Sequence, residues 1–245
     1  MISTKSLARV AGALYLMVAV TIGIAQAAGG ALVVAGDAAA TTAHIRASET
    51  LFRVGVFADL LSATFFLLTA MALYVLLRNV NRLAAAAMVT LVAVSVAIQA
   101  LNLVSETAAL AIATDPGYAR ALGAGGSEAL TLLFANLQHD GFLISQMFFA
   151  LWLLPLGYLV VKSGAFPKTL GYLLALACAG YLVDLSAYFL MPSMENLVLP
   201  FSAAAGAIGE LAFIAWLLVK GARFPVDPSR TVGTPGIGFA PAALP

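Results

Sequence analysis

Apolar positions in this chain neither alternate nor fall on one helical stripe; they run on. Six stretches, at about 9–29, 52–77, 83–107, 141–161, 169–190 and 197–219, each approach the ~20 apolar residues a helix needs to cross ~30 Å of hydrocarbon. A helix apolar all round has lipid or a large protein core as its solvent. The fourth run is extended toward the N-terminus by a helical pattern starting near Ser127. Between the first two runs, "GDAAATTAHIRASE" predicts a short surface helix with Asp37 as its N-cap. From Phe224 to Pro245 there are five prolines, three glycines and few large apolar residues, which predicts a disordered tail. The expected organisation is therefore a six-span membrane domain over residues 1–223 and a tail over 224–245.

Composition turns that pattern into a class. The chain of 245 residues is 62% hydrophobic and 9% charged, against roughly 25% charged in soluble domains. The expected fold is all-α, an integral membrane bundle of six transmembrane helices, with the lipid bilayer as its first partner. A net charge of +1 without a basic run argues against nucleic acid. Cys178 is the only cysteine, which excludes disulfides within the chain and thiolate metal clusters. Lys5, Arg9, the apolar run and "AQA" at Ala25–Ala27 imitate a signal peptide, but the run is long for one and we read a retained first span. Counting lysine and arginine, nine of twelve fall on the side of the N-terminus. That bias predicts both termini in the cytoplasm and the surface helix outside.

The acids then become informative. On this topology ten of eleven, all but Asp227, lie in outer loops, outer span ends or the spans themselves. Asp59 is about two turns into span two, Glu106 at the outer end of span three and Asp140 at the outer start of span four. Asp184 and Glu210 are deeper, in spans five and six. Helical spacing groups Ser95, Gln99, Asn102 and Glu106 on one face, Tyr181, Asp184 and Tyr188 on another, and Ser202, Gly206 and Glu210 on a third. His139 and Gln146 are seven apart on span four, and Tyr15 and Gln26 eleven apart on span one. Ionisable groups inside a membrane are costly and should face the bundle interior or a wet cavity.

A bland reading stands beside this one, because Ser, Asn and Gln commonly serve as interhelical glue. Glu106 and Asp140 could be interfacial groups in bulk water, and Arg53 with Asp59 a helix-end pair. His44 reads as incidental. The ligand- or proton-binding candidates are Asp59, Glu106, His139, Asp184, Glu210, Arg53, Tyr181 and Asn102. No Walker loop, dinucleotide fingerprint, HExxH or nucleophile elbow is present; no metal site is assigned and no cofactor is indicated. The hairpins of spans two–three and four–five each carry an acid near both outer ends, Asp59 with Glu106 and Asp140 with Asp184, as an internal repeat would produce.

Several phrases together carry a resemblance: "LARVAGALYLMVAV", "ALYVLLRNVNR", "YLVVKSGAFPKTLGYLLALACAGYLVD" and "GELAFIAWLLVKG". With "GDAAATTAHIRASETLFRVGVFADLL", the chain resembles, over about residues 5–223, a bacterial family of multispan membrane proteins known as domain of unknown function four-three-eight-six. The resemblance implies six spans and a retained first span, and the expected location is the bacterial cytoplasmic (inner) membrane. Its recurring positions fall here on Arg53, Asp59, Tyr74, Arg78, Asn81, His139, Tyr181, Asp184 and Glu210. Asp140 departs from the small residue that follows the histidine in the family. The resemblance supplies no reaction. The leading expectation is an outward-facing polar cavity taking a small polar or amphipathic ligand, as a small-molecule or proton-coupled transporter. The alternatives are an intramembrane enzyme using His139 and carboxylates on a lipid or isoprenoid substrate, and a non-catalytic accessory subunit.

Overall fold

A computed structural model describes residues 3–224, so the tail expected over 224–245 lies, Phe224 aside, outside the described residues. The helices are α1 (Thr4–Ala28), α2 (Ala38–Ala47), α3 (Glu49–Leu77), α4 (Arg82–Thr114), α5 (Pro116–Leu122), α6 (Ala124–Leu151), α7 (Leu153–Ser163), α8 (Lys168–Leu190) and α9 (Glu195–Val219). No strand occurs among the described residues. Six segments are long and apolar enough to cross a membrane, with α6 and α7 together forming the fourth.

Local chemistry sets the boundaries. Ser3, Asp37 and Asn81 each accept a hydrogen bond from the amide three residues on, capping α1, α2 and α4. Asp37 is the cap expected from sequence. Asp115 accepts from the Gly117 amide at 2.7 Å, and Pro116 opens α5, so α4 has to stop there. This carries α4 past the expected end near residue 107 to Thr114, and Glu106 becomes an interior residue of the helix. The break at Trp152 has a cause three residues later: Pro155 has no N–H for the Leu151 carbonyl, and its ring crowds that carbonyl. Gly164, at φ 63°, ends α7 in a left-handed conformation open to glycine.

Each span packs on its neighbours in sequence, and α9 returns to α1, closing a ring; α2 lies over α4 and α6 at the end opposite Ser3 and Phe224, the termini of the described residues. The half of the ring nearer the termini is solid. Ala8, Leu73, Leu77, Met88, Leu156, Leu159, Leu174 and Leu217 are buried there in one cluster. Small residues let the backbones meet: a Cβ built on Gly157 would stand 2.7 Å from the Gly171 carbonyl oxygen. The large apolar side chains left exposed, among them Leu83, Leu101 and Phe201, ring the outside as a lipid-facing surface would.

Candidate functional site

The solid half ends in an aromatic floor drawn from four spans. Trp152 meets Tyr15 and Phe66 edge-on at 5.5 and 5.1 Å, and Phe149 meets Phe66 and Tyr181 at 5.3 Å each. Beyond the floor the ring is hollow. A lower chamber of about 320 Å³ is lined by α1, α4, α6, α8 and α9, with Tyr15, Gln99, Ser145, Gln146, Tyr181 and Glu210 as its polar groups. An upper chamber of about 400 Å³ lies toward the α2 end, with Gln26, Asp59, Glu106, Asn136, Gln138 and His139. Between them is a waist of about 20 Å³, lined by Ile22, Asp59, Gln99, Asn102, Leu103, Gln138 and Phe142. Phe142 borders all three spaces.

The lower chamber is mainly hydrocarbon around one acid. Glu210 is 8% exposed; its Oε2 accepts from the Tyr15 hydroxyl and its Oε1 from the Tyr181 hydroxyl at 2.6 Å. Gly206, one turn before Glu210 on α9, leaves the room Tyr181 needs, since a Cβ there would meet the phenol ring and hydroxyl. Gln146 reaches from the chamber wall to donate to Asp184 Oδ2 at 3.2 Å. In the upper chamber Glu106 is 5% exposed, and its Oε2 is buried without a hydrogen-bond partner. Gly29 sits against the other oxygen, where a Cβ would approach Oε1 to 3.2 Å. Among the described residues no lysine or arginine lines either chamber, so the carboxyls face no fixed counter-charge.

The sequence candidates thus divide into two groups rather than one. Asp59, Glu106 and His139 line the upper chamber, Tyr181 and Glu210 the lower, and Asn102 the waist, where its Nδ2 donates to the Gln138 carbonyl at 2.6 Å. Asp184 lies behind Gln146. Arg53 is on the surface and pairs with Glu49 at 2.7 Å, not with Asp59. Glu106 is buried rather than interfacial, because α4 continues past it. Asp140 accepts from the Tyr188 hydroxyl at 2.7 Å, and the Tyr188 ring lies edge-on to His139 at 5.5 Å. The acid pairs that prompted the idea of a repeat are therefore engaged differently: Asp59 and Glu106 share a cavity, while Asp140 and Asp184 bond to separate partners.

Among the described residues no three of His, Cys, Asp and Glu come together as metal ligands would. Sequence reasoning did not find Gln138 or Phe142, nor that Tyr15 would meet Glu210. Tyr15 alone carried a signal, as a polar aromatic in the middle of an apolar span.

The family described as "Domain of unknown function (DUF4386)" matches residues 10–221. The chain belongs to this family. A DUF4386 assignment agrees with the resemblance carried by the quoted phrases, and the chain is accordingly a multi-pass membrane protein. A curated relative from Archaeoglobus fulgidus, called "Uncharacterized protein", is 36% identical over 92 residues, which is 38% of this chain. The chain spans about half the length of that relative (51%). No solved structure matches.

Proposed function

We propose that this protein is a proton-coupled transporter of a small amphipathic molecule in the bacterial cytoplasmic membrane, with its termini in the cytoplasm. One observation carries the reading: two chambers meet end to end at Phe142 above a closed aromatic floor. That is the form of a pathway open from one side, which alternating access requires of a transporter in one of its states. The chamber carboxyls support the proton side. Among the described residues, the buried Glu106 and Glu210 and the half-buried Asp59 face no lysine or arginine, and His139 is the one basic side chain on the upper chamber, so a proton or a passing solute is the available positive charge.

The test uses purified protein in vesicles with an imposed pH gradient, challenged with a chemically mixed panel of amphipathic cations, anions and neutral molecules. At least one compound should dissipate the gradient in protein vesicles and not in empty ones. Glu106→Gln and Asp59→Asn should each uncouple that flux. A panel that moves no protons, or fluxes untouched by both substitutions, would sink the transport reading and leave the intramembrane-enzyme and accessory roles.

A further inference from the structure

We infer that the lower chamber is a binding site for a lipophilic organic monocation that enters sideways from the bilayer between α1 and α9. The inference deepens the transport reading by naming a substrate class, but it concerns binding and can fail or stand separately.

The argument starts from Glu210. Two phenol donors fix the carboxyl at the chamber wall, and hydrogen bonds satisfy its lone pairs without supplying a positive charge. Among the described residues the chamber is lined by no lysine, arginine or histidine. Buried carboxylates are paired, metal-bound or neutralised. This one lies beside a hollow of about 320 Å³, the size of a small-ligand pocket. The missing charge therefore has a place to sit.

The walls say what kind of cation fits. Tyr15, Phe142, Phe149 and Tyr181 line the chamber, and aromatic faces attract weakly hydrated organic cations. Val18, Ala19, Ile22, Ala207, Leu211 and Ile214 supply most of the remainder, with Gln99, Ser145 and Gln146 as its polar part. Such walls offer few oxygens to replace the water around a metal ion or a polyol. An anion would meet Glu210 as a like charge, and a neutral hydrocarbon would leave the acid unpaired.

The entry route follows from how α1 and α9 meet. Near the termini they are in close contact, with a Cβ on Gly12 falling 2.8 Å from Leu217 Cβ. At the level of the chamber, Ala19 and Ile22 of α1 and Ala207 and Leu211 of α9 line the void. Leu211 is 50% exposed and Ala207 is also on the surface. The hollow thus gives onto the lipid-facing side, where a lipophilic cation concentrates. A proton and the cation compete for the same carboxyl, so acidification should release the ligand. The groups facing Glu210 in that competition are Tyr15 on α1, Tyr181 on α8, and Gln146 on α6 with Asp184 behind it.

The experiment is equilibrium binding to the purified full chain in detergent, using tetraphenylphosphonium and the isosteric anion tetraphenylborate. The cation should bind saturably and leave as the medium is acidified, and the anion should not bind. Glu210→Gln should weaken the cation by about a hundredfold or more, as when one member of a buried ion pair is removed. Ala207→Trp, a change at the exposed rim that keeps the Glu210 carboxyl, should slow the approach of cation binding to equilibrium, followed by stopped-flow, and it serves as the readout if the Glu210 variant does not fold. Equal binding of the two ions, or cation binding unchanged in a folded Glu210→Gln protein, overturns the proposal. Cation binding without proton flux in vesicles would leave this site standing and remove the transport reading. Flux with no cation binding would do the reverse.

Discussion

Gly206 offers a test of whether packing positions the acid. Its ideal Cβ would come within 3.0 Å of Tyr181 Cε1 and closer still to the phenol end, the movable part of that side chain. Alanine there should push Tyr181 aside rather than separate two backbones, so the loss should be the Tyr181–Glu210 hydrogen bond. A hydrogen bond to a charged group contributes about 1.5–3 kcal/mol, and alanine returns about 1 kcal/mol of helix propensity. Gly206→Ala should therefore cost about 0.5–2 kcal/mol net, and Tyr181→Phe about 1.5–3 kcal/mol. If both remove one bond, the double variant should cost about as much as Tyr181→Phe alone, because the Phe ring still has to move aside for the alanine Cβ and this offsets the propensity gain. Independent effects would add to about 2–5 kcal/mol.

The measurement is thermal unfolding of the four proteins of this double-mutant cycle in one detergent. A shift of ~2–4 °C per kcal/mol is expected for a chain of this length. Additive losses would refute the reasoning, since Gly206 would then be acting on something other than Tyr181. A Gly206→Ala protein that melts above the parent would refute it as well.

Three further outcomes are expected. Gly209→Ala, three residues on, meets the Leu173 carbonyl oxygen at 2.7 Å, so backbone must move; it should cost about 1–3 kcal/mol in the same melts. Gly23→Ala in α1, with nothing within 4 Å, should be neutral or stabilising by up to about 1 kcal/mol. Phe142→Ala should merge the waist of about 20 Å³, which is near the size of one water, with both chambers. With the floor of Trp152, Phe66 and Phe149 intact, that variant should stay as tight to protons as the parent but take up tetraphenylphosphonium faster, and an unchanged uptake rate would show that Phe142 does not separate the chambers.

The element pattern was legible in the sequence because lipid imposes a length. Six apolar runs gave six spans, and Asp37 marked the start of α2 as its capping chemistry predicts. Facing was much less legible. A helix apolar all round has no polar side to indicate which way it turns, so only isolated polar residues reported on it. Glu210 and Tyr181 came from such spacing, but Tyr15, 195 residues from Glu210 along the chain, could be paired with it only once α9 was known to close on α1. Arg53 misled for the opposite reason. A nearby acid in sequence suggested Asp59, yet Glu49 one turn away has the better geometry at the exposed helix end.

The same geometry separates glue from the groups left for function. Ser95 donates to the Ser145 carbonyl at 3.1 Å and Asn102 to the Gln138 carbonyl, so both tie α4 to α6 and their polarity is consumed by the fold. Gln146 and Asp184 likewise satisfy each other across α6 and α8. Glu106 does not fit that account. Its Oε2 is buried and unpartnered beside a cavity of about 400 Å³, and Asp59 on the same cavity makes no hydrogen bond to any described residue. At Glu106 a structural role would favour a bonded or apolar side chain, because an unsatisfied buried acceptor costs stability. Asp59 is half-buried on that hollow and Glu106 is enclosed at its edge, so neither acid is consumed as interhelical glue. Glu210 lies between the two cases: its tyrosines hold it as glue would, and among the described residues no lysine, arginine or histidine lines its chamber.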